Sequence, residues 1–557
     1  MNPPEASNPL EAVNPPDAVN SSDAVNRHEV AGGRVPTPLR LRGPATPLVV
    51  DPAYWRNGIE DRVTRLFART LFAYPPRDNL RDWQAYEPVG DLATAVPSTY
   101  NAGLGASHLG YVVHLRPEVV WDTTPPRRVT AHDVVRAFKR LAHPAARNAA
   151  LPYLLGTVRG LAEFHAGYAR VGPTAADMSN YQAAHDISGV FALDDSTVMV
   201  ELIRPALDFV DVLTLPCFSP APAEYDLLVP GDPAFVHHVR STGPYRPVPG
   251  EPAALERNPW WRKDTDPVRE QHFDRVEFTV DDADGLAARI AADEADLPWA
   301  TPLLQPNGKL DARGFALDPY LVFNGRGRAC DAAVRRALAQ ALDRLSTAEL
   351  VAEPGFDVLP AGSLIPPGSD GHEETPVVPL TGAPERCRAL LAEAGHADLA
   401  LTLVCVERDA AVASAVTADL EKAGVTVRTV VLDDVRHRAV LDDPDAEWDA
   451  ALACWSAPWF HRNGRVFVQA LGDTGDPEVG LLVDRALAAV AHPDQEAEHW
   501  RAAQRAVLAD AAVVPLLFRR PSRPPLRGPR VRDARILPSL GHSIDLATVR
   551  VEPGADR

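Results

Sequence analysis

The chain has 557 residues, 46 % of them hydrophobic and 24 % charged, which excludes a wholly disordered chain and is enough for roughly two to four domains. Its net charge is −19, and no Lys/Arg block offsets it, which argues against a nucleic-acid partner. Five cysteines (Cys217, Cys330, Cys387, Cys405 and Cys454) lie far apart with no C-x-x-C, so the common zinc spacings and a dense disulfide framework are excluded and buried free thiols are expected.

Residues 2–26 hold an imperfect six-residue repeat of the form Asn-Pro-Pro-Glu-Ala-Ser. Proline blocks helix and strand and the acids repel, so residues 1–34 are expected to form a disordered tail. No basic and apolar leader of the export type is seen, and no apolar run reaches the roughly 18 residues that span a bilayer. Thr37–Leu41 alternates as a strand, and Glu60–Leu71 places Val63, Leu66, Phe67 and Leu71 on one helical face. Strands are expected at Tyr111–Leu115 and Val119–Trp121. A helix then opens at Thr130, with Asp133 in its first turn, and ends before Pro144.

Strands follow at Asp195–Leu202 and Asp274–Val280, the latter with Val276, Phe278 and Val280 on one face, and a helix at Leu286–Asp293. Asp331 caps a helix through Leu342, and Pro384 opens one that Gly395 closes. Leu399–Val406, Val425–Leu432 and Ala450–Trp455 read as strands around a helix at Ala411–Ala423. That alternation predicts a parallel α/β sheet. A last helix, Gln495–Leu508, precedes a buried strand at Val513–Phe518.

The usual catalytic signatures are missing. There is no G-x-x-x-x-G-K-[ST] loop, no G-x-S-x-G elbow and no H-E-x-x-H. Asp281-Asp282-x-Asp284 is half a calcium loop with the later Gly and Glu misplaced, so it reads as a solvated acidic turn. No cofactor and no metal are expected. The aromatic residues are more informative. Trp55, Trp121, Trp299, Trp455 and Trp459 sit at the ends of predicted strands, where ligands lie in open α/β sheets and where indoles stack on them.

Several segments, in order, resemble one family. They are Asp51–Trp55, His114–Pro117 with Val119–Pro125, Val129–Arg140, Thr242–Tyr245 with Glu256–Trp260, Phe323-Asn324 through Asp343-Arg344, and Leu390–Gly395. Together they resemble the extracytoplasmic solute-binding proteins of ABC importers, family 5, the oligopeptide-, dipeptide- and nickel-binding type. The resemblance implies a periplasmic-binding-protein-like α/β fold of type II with an extra subdomain, its two lobes joined by hinge strands. Lobe I would hold 35–85, 181–300 and 505–557, with 86–180 inserted, and lobe II would hold 301–504. A peptide-like or other small organic solute would bind between the lobes, and permease subunits would be the partners of a monomeric, non-enzymatic protein. The implied ligand-binding residues are Tyr54, Trp55, Trp299, Cys454, Trp455, Ser456, Trp459 and His461. The implied place is the extracytoplasmic face of the membrane. The alternatives are a cytoplasmic ligand sensor of the same fold and an α/β enzyme. In peptide-binding relatives an Asp after the Trp strand pairs with the peptide amine. Here Pro458 stands at that position, so a free ammonium is not expected to dock there unless another acid, such as Asp449 or Asp51, substitutes.

Overall fold

The computed structural model describes residues 37–44, 51–54, 61–146, 148–282, 284–299, 303–457, 459, 464–471, 477–489 and 492–552. All lie in the unit Thr37–Arg557. The repeat tail, Trp55, Pro458 and His461 lie outside the described residues.

Two sheets organise this unit. The first is built on Leu39–Gly43, whose alternate residues are buried, as its sequence pattern predicts. It runs parallel to Arg275–Val280 and Leu297–Pro298, and the hairpin Tyr245–Val248/Glu251–Arg257 extends it antiparallel. Gly43 is required here, because a Cβ would lie 1.9 Å from the Trp299 carbonyl oxygen. Val276 and Phe278 are buried in this core, but Val280 is exposed where the strand leaves it.

The second sheet has seven strands. Ala400–Val406, buried along nearly its whole length, lies parallel to Thr426–Leu432 and to Ala450–Trp455. A strand covered on both faces is what a continuous apolar run predicts. The sheet is nevertheless mixed and not all parallel. Ala316–Phe323 runs antiparallel to Ala450–Trp455, Val513–Pro515 and Leu517–Pro521, and Phe356–Pro360 closes the edge. The run expected as one strand at Val513–Phe518 is two strands parted at Leu516. Helices Ala332–Ala341, Pro384–Glu393 and Ala410–Lys422 pack together beside this sheet, and Gly395 and Gly424 take the left-handed conformation just beyond two of them.

Two sets of strand pairings cross the expected boundaries. Val513–Pro521 belongs with the second sheet, although residues from 505 onward were expected in lobe I. Gly110–His114 pairs with Thr197–Glu201, which pairs with Val190–Asp194, across the boundary expected at 180. The chain passes from the first sheet to the second through 303–310 and back through 522–526. These segments run side by side, with bonds from Leu526 N to Leu303 O, Gln305 N to Pro524 O and Leu310 N to Ser522 O, each 2.8 Å.

The segment Ser241–Trp261, which spans the Thr242–Tyr245 and Glu256–Trp260 motifs, is a structural joint. Ser241 Oγ donates to Tyr245 O at 2.6 Å and lies 2.9 Å from Phe67 O, and Asn258 Nδ2 donates to Gly243 O at 3.0 Å. A Cβ on Gly243 would meet the Leu66 carbonyl at 2.5 Å. The motif therefore ties helix Asp61–Phe67 to the hairpin. Beneath it, Arg69 and Arg269 hold the two oxygens of Asp91 at 2.8 Å each, all three side chains buried.

Candidate functional site

The expected site residues separate into distinct places. Trp299 is 2 % exposed in the first core, edge-on to Phe278, with its amide bound to Arg42 O at 2.7 Å. Tyr54 is half-buried over Gly231, beside the corner that Asp51 makes with Arg140. Neither joins the residues after Ala450–Cys454. Trp121, also buried, donates to Asp133 at 3.1 Å, and that carboxylate accepts the Thr130 amide at 3.0 Å as the helix start predicts.

Trp455 and Trp459 lie together at a seam between the inserted region and the helices of the second half. Trp459 is 6 % exposed and packed against Tyr153, with ring centroids 5.4 Å apart. Trp455 is half-buried, and its indole donates to Val466 O at 3.0 Å. A buried polar cluster anchors the seam. Asp208 accepts from Tyr153 Oη at 2.7 Å, Arg465 Nη1 at 3.0 Å and Trp459 Nε1 at 3.3 Å. Arg465 also donates to Thr157 Oγ1 at 2.8 Å and lies 3.8 Å over the Tyr153 ring. Burial pushes the Tyr153 phenol well above its usual value, so it stays a donor. Arg204 and Asp484 pair across the same seam. Trp459 is thus a packed residue with a satisfied N–H, whereas a stacking platform would need an open face.

Ser456 and Ala457 reach a second place, a cavity of about 170 Å³. Its other walls are Phe315, Asp318 and Phe356, the pair Arg519 and Arg520, and the loop through Pro538 and His542. That loop leads into Ile544 and Leu546 of the first core, so residues of both halves line the cavity. His542 Nε2 donates to Arg313 O at 3.0 Å, and burial pushes this imidazole down to about 4, leaving it neutral. Arg520 is engaged by Asp357 at 2.9 Å and by Ala312 O at 2.9 Å. Cys454 is exposed, its Sγ 3.7 Å from Arg408. Cys217, Cys387 and Cys405 are buried thiols, as expected, whereas Cys330 is exposed.

Both acids offered as substitutes for the amine partner are already engaged. Asp449 accepts the Arg328 and Thr402 amides at 2.7 and 2.8 Å. Asp51 is held by Arg140 at 2.6 Å and by the Ala53 amide at 3.0 Å. Sequence reasoning missed Asp208, Asp318, Arg465 and Arg519. The one available signal was polar: Asp318 interrupts an otherwise apolar strand, and Arg519 follows the run Val513–Phe518. Among the described residues no group of three or more His, Cys, Asp or Glu is placed to hold a metal ion.

The sequence pattern of the bacterial extracellular solute-binding proteins, family 5 Middle, matches residues 87–474. The chain is 27 % identical over 439 residues to the periplasmic oligopeptide-binding protein OppA of Salmonella typhimurium, covering 73 % of this chain and 76 % of that protein. Among solved structures, clavulanic acid biosynthesis oligopeptide binding protein 2 superposes with a TM-score of 0.71 at 24 % identity, covering 93 % and 96 % of the two chains. The ABC transporter-associated periplasmic binding protein DppA from Helicobacter pylori, in complex with peptide STSA, gives a TM-score of 0.67 at 18 % identity over 93 % and 98 %.

Proposed function

This chain belongs to the bacterial extracellular solute-binding proteins, family 5, and from that premise we propose that it is the substrate-binding component of an ABC-type importer. It takes a peptide-like or other small organic solute between its two halves, outside the cell membrane, and delivers it to permease subunits as a monomer. The observation that carries this reading is the cavity at Ser456, whose walls come from both halves of the fold. A solute touching both halves favours their closed arrangement by its differential affinity for that state. The paired segments 303–310 and 522–526 supply the hinge, being the two connections between the halves. The relatives named above are binding proteins, in keeping with a role in which no bond is made or broken.

A thermal-shift screen of the full chain tests the proposal, using pools of short peptides, N-acetylated peptides, sugars and metal chelates. A ligand at 100 times its Kd adds about 2.7 kcal/mol of stability. A saturable upward shift with one of the pools is expected, and unchanged melting with all of them would overturn the reading.

A further inference from the structure

Asp318 and Arg519 stand side by side on one wall of the cavity as a loose ion pair with no hydrogen bond between them. Their nearest charged atoms, Asp318 Oδ2 and Arg519 Nη1, are 3.8 Å apart, beyond hydrogen-bond length. Both side chains are largely withdrawn from water, at 20 % and 12 % exposure. Among the described residues no hydrogen bond reaches either charged group, and Arg519 Nε and Asp318 Oδ1 are fully buried without a partner. Every other arginine of the two sites is engaged: Arg520 by Asp357 and Ala312, Arg408 by Asp434, and Arg465 by Asp208 and Thr157. Buried charges are ordinarily paired and hydrogen-bonded, because an unpaired one is costly. A cation and an anion left short of partners on one cavity wall therefore mark a place prepared for an outside group that brings both a donor and an acceptor.

We infer that Asp318 and Arg519 form a subsite for an α-ammonium and the carbonyl or carboxylate oxygen beside it, the head group shared by a peptide N-terminus and a free amino acid. The ammonium, a donor only, goes to Asp318. The adjacent oxygen, an acceptor, goes to the guanidinium fork of Arg519. The volume agrees with this size of group. At about 170 Å³ the cavity is below the roughly 300–1,000 Å³ of typical small-molecule pockets, a size that suits one peptide residue or one free amino acid. Phe315 and Phe356 give that residue apolar walls. Burial first and then the negative charge of Asp318 raise the Asp409 carboxyl, while Arg408 and Arg519 lower it, so a positive group at Asp318 relieves one repulsion in a site of mixed charge. This subsite deepens the solute-binding reading and rests on it. It assigns the amine anchor to a residue far in sequence from Pro458.

Native mass spectrometry of the full chain at subsaturating ligand tests the assignment. The probes are an equimolar tripeptide mixture, the same mixture N-acetylated, and an equimolar mixture of amino acids. Wild type is expected to bind the free tripeptides at least about tenfold better than the acetylated ones, a gap of about 1.4 kcal/mol or more. Asp318→Asn should abolish that gap by weakening the free mixture, with the folding of the variant checked by its thermal unfolding curve. Arg519→Gln should weaken free and acetylated mixtures alike. Should either variant fail to fold, Asp318→Ser or Arg519→Met takes its place with the same expected outcomes. Amino acids bound as well as tripeptides identify the free amino acid as the source and uphold the subsite. Equal binding of free and acetylated peptides, or full binding of free peptides by Asp318→Asn, overturns the subsite and leaves the solute-binding reading standing. Failure of every pool in the thermal-shift screen removes both.

Discussion

Asp409 is 1 % exposed, and its carboxyl is raised to about 6 by burial and by nearby Asp318. A carboxyl whose folded-state pKa lies above its unfolded value of about 3.9 binds its proton more tightly when folded. Between those two values the native state carries more protons than the unfolded state, so stability falls as pH rises through about 4 to 6 and the loss is complete above the folded value. Asp409→Asn removes this ionisation. Denaturant unfolding from pH 4 to pH 7 should show wild type losing roughly 1–3 kcal/mol relative to the variant. A constant difference across that range would show that the carboxyl does not titrate there. Asp449 illustrates the opposite use of an acid. Its two oxygens bracket the backbone at Arg328 and Thr402, so it serves the sheet and is not free for a ligand.

At the scale of elements, helix Arg465–Leu471 is fastened to the inserted region by one buried side chain. Arg465→Met would leave Asp208 buried with its charge uncompensated, a loss of about 3–5 kcal/mol. Replacing both, as Arg465→Met with Asp208→Asn, should recover a large part of it, and urea titrations of the two single variants and the double variant read the coupling directly. Trp459→Ala removes a packed indole at the same seam and is expected to cost about 3–5 kcal/mol of unfolding stability. Full retention of stability with loss of ligand binding would instead restore the indole as an open stacking platform.

For the whole molecule, a single apolar cluster runs from Trp121, Phe138 and Phe218 of the first half to Phe467, Trp500 and Phe518 of the second. A core shared in this way predicts one cooperative transition for the two halves. Every described core residue lies within 37–557, so deleting residues 1–36 is expected to move the calorimetric midpoint by less than about 2 °C. A larger drop would show that the repeat segment stabilises the folded unit.

What the sequence determined by itself is what depends on neighbours along the chain. Alternation marked a strand at Thr37–Leu41 that forms at Leu39–Gly43, Asp331 accepts the Ala333 amide at 2.7 Å as its capping position predicts, and Gly395 marked the end of a helix. The ordered motifs also identified the family, because the Ser241–Trp261 joint needs Ser241, Gly243 and Asn258 at their places. Contacts between distant parts of the chain were left to the tertiary structure. The strand run after Asp510 joins the second sheet through pairing with Ala316–Phe323, which no local pattern encodes. Trp299 and Trp459 look alike as strand-end indoles, yet one fills the first core and the other a seam, because burial depends on what packs against a residue from elsewhere. Asp318 and Arg519 stand some two hundred positions apart. Only the antiparallel pairing of their strands sets a carboxylate and a guanidinium on one cavity wall, close enough to act together and too far apart to satisfy each other.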